Sequence, residues 1–202
     1  MNKLTVYLVR HGETSFNAEG NKYCGRTDVA LNEVGKKQAE NLCSYFKDTH
    51  IDVAFSSPLK RANSTAKILL PNQEIFVDNR LVELDFGKWE GKTREEFVIE
   101  SPELWDKWNS DPSNNRAGGT GETANEAVMR INDFFNEIEG QYQQKNILMV
   151  AHNTINRFFL CSQLGMPFRN YRKIFQENCA ITKFEIDQKE GFILKKLNCR
   201  SF

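Results

Sequence analysis

Three short apolar runs stand out along the chain, at residues 4–9, 53–56 and 147–151. Each is rich in aliphatic or β-branched residues and lacks a helical period, so each predicts a strand buried on both faces. Between them the apolar positions recur at intervals of three and four. Residues 32–47 carry Val34, Ala39, Leu42 and Phe46 on one helical face, and residues 59–70 form a second helical stretch stopped by Pro71. Thr123-Ala124-Asn125-Glu126 is a capping box that opens a third helix, with Val128, Ile131, Phe135, Ile138 and Tyr142 along one side. A fourth helix is expected over residues 154–164, ended by Gly165 and Pro167. The tail reads as two strands, 180–186 and 192–197, around a turn containing Gly191. Strands alternating with helices predict an α/β fold with a largely parallel sheet.

Residues 85–121 have another texture. Thr93-Arg94-Glu95-Glu96 is a further capping box, and the chain's three tryptophans, Trp89, Trp105 and Trp108, all fall here. The segment ends in a loop rich in Pro, Asn and Gly. It reads as a helical insertion over one side of the sheet with a mobile edge, its tryptophans chiefly packing residues.

Composition narrows the classes. With 202 residues the chain suits one domain, and 27 basic residues balance 27 acidic ones. A formal net charge of zero argues against a general nucleic-acid or membrane surface. No apolar run approaches membrane-spanning length, and no secretory pattern opens the chain. Cys24, Cys43, Cys161, Cys179 and Cys199 are odd in number and widely spaced, which suggests reduced thiols in a cytoplasmic protein. Cys24, in a loop with Gly25, is placed to line a pocket.

The chemistry gathers where strands end. Arg10-His11-Gly12 follows the first strand, His152 follows the third, and Arg61 opens the helix after the second. Ligand sites in open α/β sheets lie beyond the carboxyl ends of the strands. Two arginines and two histidines at such positions suggest phosphoryl chemistry, because guanidinium grips phosphate and neutral imidazole is a nucleophile. Glu83 lies among Leu81, Val82, Leu84 and Phe86, where desolvation favours the neutral acid, able to protonate a leaving oxygen. His50, in a polar segment, reads as an exposed loop residue. A histidine-held divalent metal is disfavoured, since Arg10 and Arg61 would repel a cation.

These pieces, in order, resemble the histidine phosphatase superfamily, in the branch of phosphoglycerate mutases and small-molecule phosphatases of the α-ribazole phosphatase or broad-specificity type. The matching residues are Arg10-His11-Gly12-Glu13-Thr14 with Asn17, Gly25-Arg26-Thr27-Asp28, Leu31 to Gly35 with Gln38-Ala39, and Ser56 to Leu59 with Arg61-Ala62 and Thr65-Ala66. Glu83 to Gly91, Gly121-Glu122-Thr123 and Val150-Ala151-His152 complete the set. The resemblance implies a three-layer α/β/α architecture with a mostly parallel central sheet and a helical cap at about 85–121.

It also implies a two-step transfer without cofactor or metal. His11 would take the phosphoryl group and water would then release it. Arg10, Arg61, His152 and Asn17 would hold the phosphoryl oxygens, with Glu83 as general acid and base. Cys24, Gly25 and Asn153 would lie against the substrate, a small phosphate ester, in a monomer or homodimer. Asn153-Thr154 replaces a pair of glycines common in the family, and Arg157 stands slightly later than a frequent family arginine. Two other readings stay open. One is a cofactor-dependent phosphoglycerate mutase, against which Phe86 to Gly91 resembles the phosphatase branch. The other is a catalytically idle binding or signalling domain, against which both nucleophile and acid are present.

Overall fold

The computed structural model describes residues 3–200. Its centre is a six-stranded sheet in the order β3-β2-β4-β1-β5-β6. Strands β1 (Lys3–Arg10), β2 (Val53–Ser56), β3 (Ile75–Val77) and β4 (Asn146–Ala151) run parallel. β5 (Ile181–Asp187) and β6 (Gly191–Cys199) are antiparallel additions beside β1. The strand β3 had no counterpart in the hydrophobic pattern: it is three residues long, and Phe76 and Val77 are exposed.

Alternation along the strands divides the interior. Leu4, Val6 and Leu8 of β1 and Ile147, Met149 and Ala151 of β4 face α6 (Ala124–Gln141) and α7 (Asn153–Gln163). Tyr7, Val9, Leu148 and Val150 face the other way, against α2 (Glu33–Lys47) and α3 (Lys60–Leu69). The result is the three-layer α/β/α arrangement. A short helix, α1 (Ser15–Ala18), follows the first strand, capped by Thr14 and Asn17 in a reciprocal box.

Within residues 85–121, α4 (Arg94–Glu100) and α5 (Pro102–Ser110) form beside two 3-10 turns. Trp89 stacks on Phe97 with centroids 4.5 Å apart, and Trp108 meets Phe158 of α7. Trp89 and Trp108 are fully buried in the same apolar cluster as the sheet's inner face. No helix among the described residues is long and apolar enough to cross a membrane.

Candidate active site

Neighbouring parallel strands in register create the site. Arg10 at the end of β1 pairs with Ala151 at the end of β4, so His11 and His152 leave the sheet side by side, their ring centroids 5.1 Å apart. The His11 amide still donates to the Ala151 carbonyl at 3.1 Å. Gly12 then turns the chain against the first turn of α2. A Cβ on Gly12 would lie 2.5 Å from the Gly35 carbonyl, and one on Gly35 would lie 2.1 Å from the Glu13 carbonyl, so only paired glycines permit this approach.

The hydrogen bonds fix both imidazoles. His11 Nδ1–H donates to the Gly12 carbonyl at 2.7 Å, which leaves the Nε2 lone pair free. Burial, reinforced by Arg61 and Arg10, holds His11 well below the ordinary histidine value. His152 is the converse case. Its Nδ1 accepts from Arg61 Nε–H at 3.2 Å, so the neutral ring carries its proton on Nε2, which is buried without a protein partner. Burial first, and Arg61 second, keep this ring neutral too.

Arg61 is wholly buried, with its guanidinium engaged by His152 and by the loop at residues 24–27. Its Nη1 donates to the Thr27 carbonyl at 2.8 Å, and Nη2 to the carbonyls of Cys24 and Gly25 at 3.1 and 2.8 Å. The Glu90 carboxylate accepts from the amides of Gly25 and Thr27, holding the same loop from the other side. Gly25 is buried in this loop, while Cys24 lines the cavity, its thiol pushed up to about 11 by burial.

A cavity of about 660 Å³ opens over the two strand ends and admits Arg10, His11, Asn17, Cys24, Glu83 and Asn153 to its wall. Arg10 donates to the Gln176 carbonyl at 2.7 Å and keeps a buried, unpartnered Nε; burial and Arg157 lower it to about 10. The Asn17 carbonyl oxygen accepts from Thr14, at both its amide and its hydroxyl, which leaves the amide nitrogen for a ligand. Asn153 has a buried, unpartnered carbonyl oxygen.

Glu83 is buried but not in wholly apolar surroundings: it faces the start of α7. Oε2 accepts from the Thr154 amide, and Oε1 from the amides of Ile155 and Leu84, all within 2.9 Å. Arg130 of α6 fixes the segment beneath it, donating to the carbonyls of Arg80, Val82 and Glu83.

Sequence reasoning missed the contribution of residues 176–179. The Asn178 amide donates to the His11 carbonyl at 2.9 Å, and the Cys179 amide to the Arg10 carbonyl at 3.0 Å. Nothing in that polar stretch announces this role; only its position just ahead of β5, the neighbour of β1, could have suggested it.

Comparison with known proteins agrees with the geometry. The model of the histidine phosphatase superfamily (branch 1) matches residues 6–200. Phosphoserine phosphatase 1 of Hydrogenobacter thermophilus is 31% identical over 192 residues, spanning 94% of this chain and 90% of that protein. Adenosylcobalamin/alpha-ribazole phosphatase of Escherichia coli is 27% identical over 205 residues, spanning 98% and 97%. A crystal structure of phosphoserine phosphatase from Entamoeba histolytica, in complex with 3-phosphoglyceric acid, superposes with a TM-score of 0.88 at 29% identity over 96% of each chain. A family match over nearly the whole length, together with these relatives, places the chain in the histidine phosphatase superfamily, branch 1.

Proposed function

We propose that the protein is a phosphomonoesterase that hydrolyses a small phosphorylated metabolite through a phosphohistidine on Nε2 of His11. The observation that carries this reading is the His11 ring itself: buried, held neutral, anchored through Nδ1, with Nε2 left over. In the first step the Nε2 lone pair forms a bond to phosphorus as the ester P–O bond breaks, and the leaving oxygen takes a proton from Glu83. In the second, Glu83 takes a proton from water, whose oxygen displaces the imidazole and frees inorganic phosphate. Arg10, the Asn17 amide and the Nε2–H of His152 would hold the phosphoryl oxygens, and Arg61 would keep His152 in the donating tautomer. The guanidiniums supply the positive charge that a metal provides elsewhere. The five cysteines are all free, which supports a reducing compartment such as the cytoplasm.

Rapid quench with a ³²P-labelled ester should trap an acid-labile, base-stable phosphoenzyme, absent from His11→Ala. A protein that releases phosphate without such an adduct would sink the covalent route. Incubation with 3-phosphoglycerate and a trace of bisphosphoglycerate tests the mutase alternative, because isomer exchange without free phosphate would replace hydrolysis. Absence of both labelling and turnover across pH 5–8 would favour an idle binding domain.

A further inference from the structure

The phosphoryl end of the cavity leaves positive charge unused. Among the basic side chains on its wall, Lys22, Arg94 and Arg200 each pair with a carboxylate, those of Glu19, Glu95 and Glu177. Arg157 and Arg172 also line it, and neither has an ion-pair partner among the described residues. Arg157 comes from α7, a turn and a half beyond His152, and its Nε is buried without any acceptor. Arg172 comes from the 3-10 segment Phe168–Lys173. Its guanidinium lies 4.3 Å from the ring centre of Trp105 and 4.4 Å from that of Tyr171, with Nη1 donating to Asn109 at 3.2 Å. Its Nη2 is buried and unpartnered.

These two arginines differ from the others in the interior. Arg61 and Arg130 are saturated by protein acceptors and hold loops together. Arg157 and Arg172 hold no backbone carbonyl; each is half-buried on the wall of the same cavity, with one guanidinium nitrogen shut away from water and unpartnered, which is unfavourable unless an anion arrives. Stacking pins the plane of Arg172 and leaves its edge to donate. We propose that Arg157 and Arg172 form a second anion-binding subsite. The substrate is then a phosphomonoester whose organic part carries another anionic group, a carboxylate or a second phosphate. This deepens the phosphatase reading and rests on it for the first group.

Paired substrates test it. The ratio of kcat/KM for 3-phosphoglycerate over glycerol 3-phosphate isolates a carboxylate, and that for fructose 1,6-bisphosphate over fructose 6-phosphate isolates a second phosphate. At least one ratio should be tenfold or more, and Arg172→Gln and Arg157→Gln should each reduce it at least tenfold, chiefly through KM. Arg169→Gln, an exposed neighbour on the same segment, should leave it unchanged. Ratios near one in the wild type, or an equal fall with Arg169→Gln, would overturn the subsite. Calorimetric binding of the same pairs to His11→Ala separates the two ideas: a retained preference there, without wild-type turnover, removes the phosphatase reading and keeps the subsite.

Discussion

The two buried histidines set how the folded chain answers acid. Both are held well below 6.5, by burial first and then by Arg61, with Arg10 adding to the effect on His11. Below about pH 6.5 the unfolded chain takes up protons on these rings and the native chain does not. The unfolded state therefore binds more protons, and stability falls as pH falls, by roughly 1.4 kcal/mol per pH unit for each histidine. The loss continues until the folded pKa is reached. Carboxylates held low, such as Asp78 and Glu122, act in a lower window, so urea melts between pH 6.5 and 5 isolate the histidines. A flat profile there would contradict their burial as neutral rings. At Glu83 the expectation concerns chemistry: Glu83→Gln should slow alkyl phosphates by about a hundredfold and aryl phosphates far less, since a phenolate leaves without a proton. Equal losses on both, measured as kcat, would deny it the acid role. The sequence made the site legible where chemistry and context clashed: His11 and His152 at strand ends, Glu83 amid leucines. It left Arg157, Arg172 and Asn178 obscure, because a lone polar residue in a helix or loop gives no sign of what faces it across the fold.

At the scale of elements, the loop after β1 and the first turn of α2 act as one piece. The Gly12 amide donates to Thr65 of α3, the Glu13 amide to Gln38 of α2, and Asn32 bonds Glu13 while capping α2. Gly35→Ala drives a methyl group into the Glu13 backbone, where neither side can yield. It should destabilise the protein by about 1–3 kcal/mol. It should also lower kcat beyond the fraction unfolded, since Glu13 follows the nucleophile by two residues. An unchanged melting temperature would show that the two elements are not in close contact. The long strands and helices were readable from their periods, whereas β3 was not: three residues, two of them exposed, make no pattern.

For the molecule as a whole, one apolar cluster runs from the inner face of the sheet through α6 and α7 to Trp89, Phe97 and Trp108. The segment 85–121 is thus part of the core, and it should unfold with the rest. All three tryptophans lie in it, so their fluorescence reports this segment while far-ultraviolet circular dichroism reports the whole. The two denaturation curves should coincide, and an earlier fluorescence midpoint would reveal a separately melting cap. The clasp from residues 176–179 onto Arg10 and His11, made by the Asn178 side chain and the Cys179 backbone, closes a long span of chain, with Asn178 and His11 separated by 167 positions. A ribosome would have to extrude the chain through Cys179 before the carbonyls of Arg10 and His11 found these partners, and a protease cut anywhere between would leave the nucleophile and its clasp on separate fragments. The setting of the nucleophile is in this sense assembled late, from two stretches far apart in the sequence.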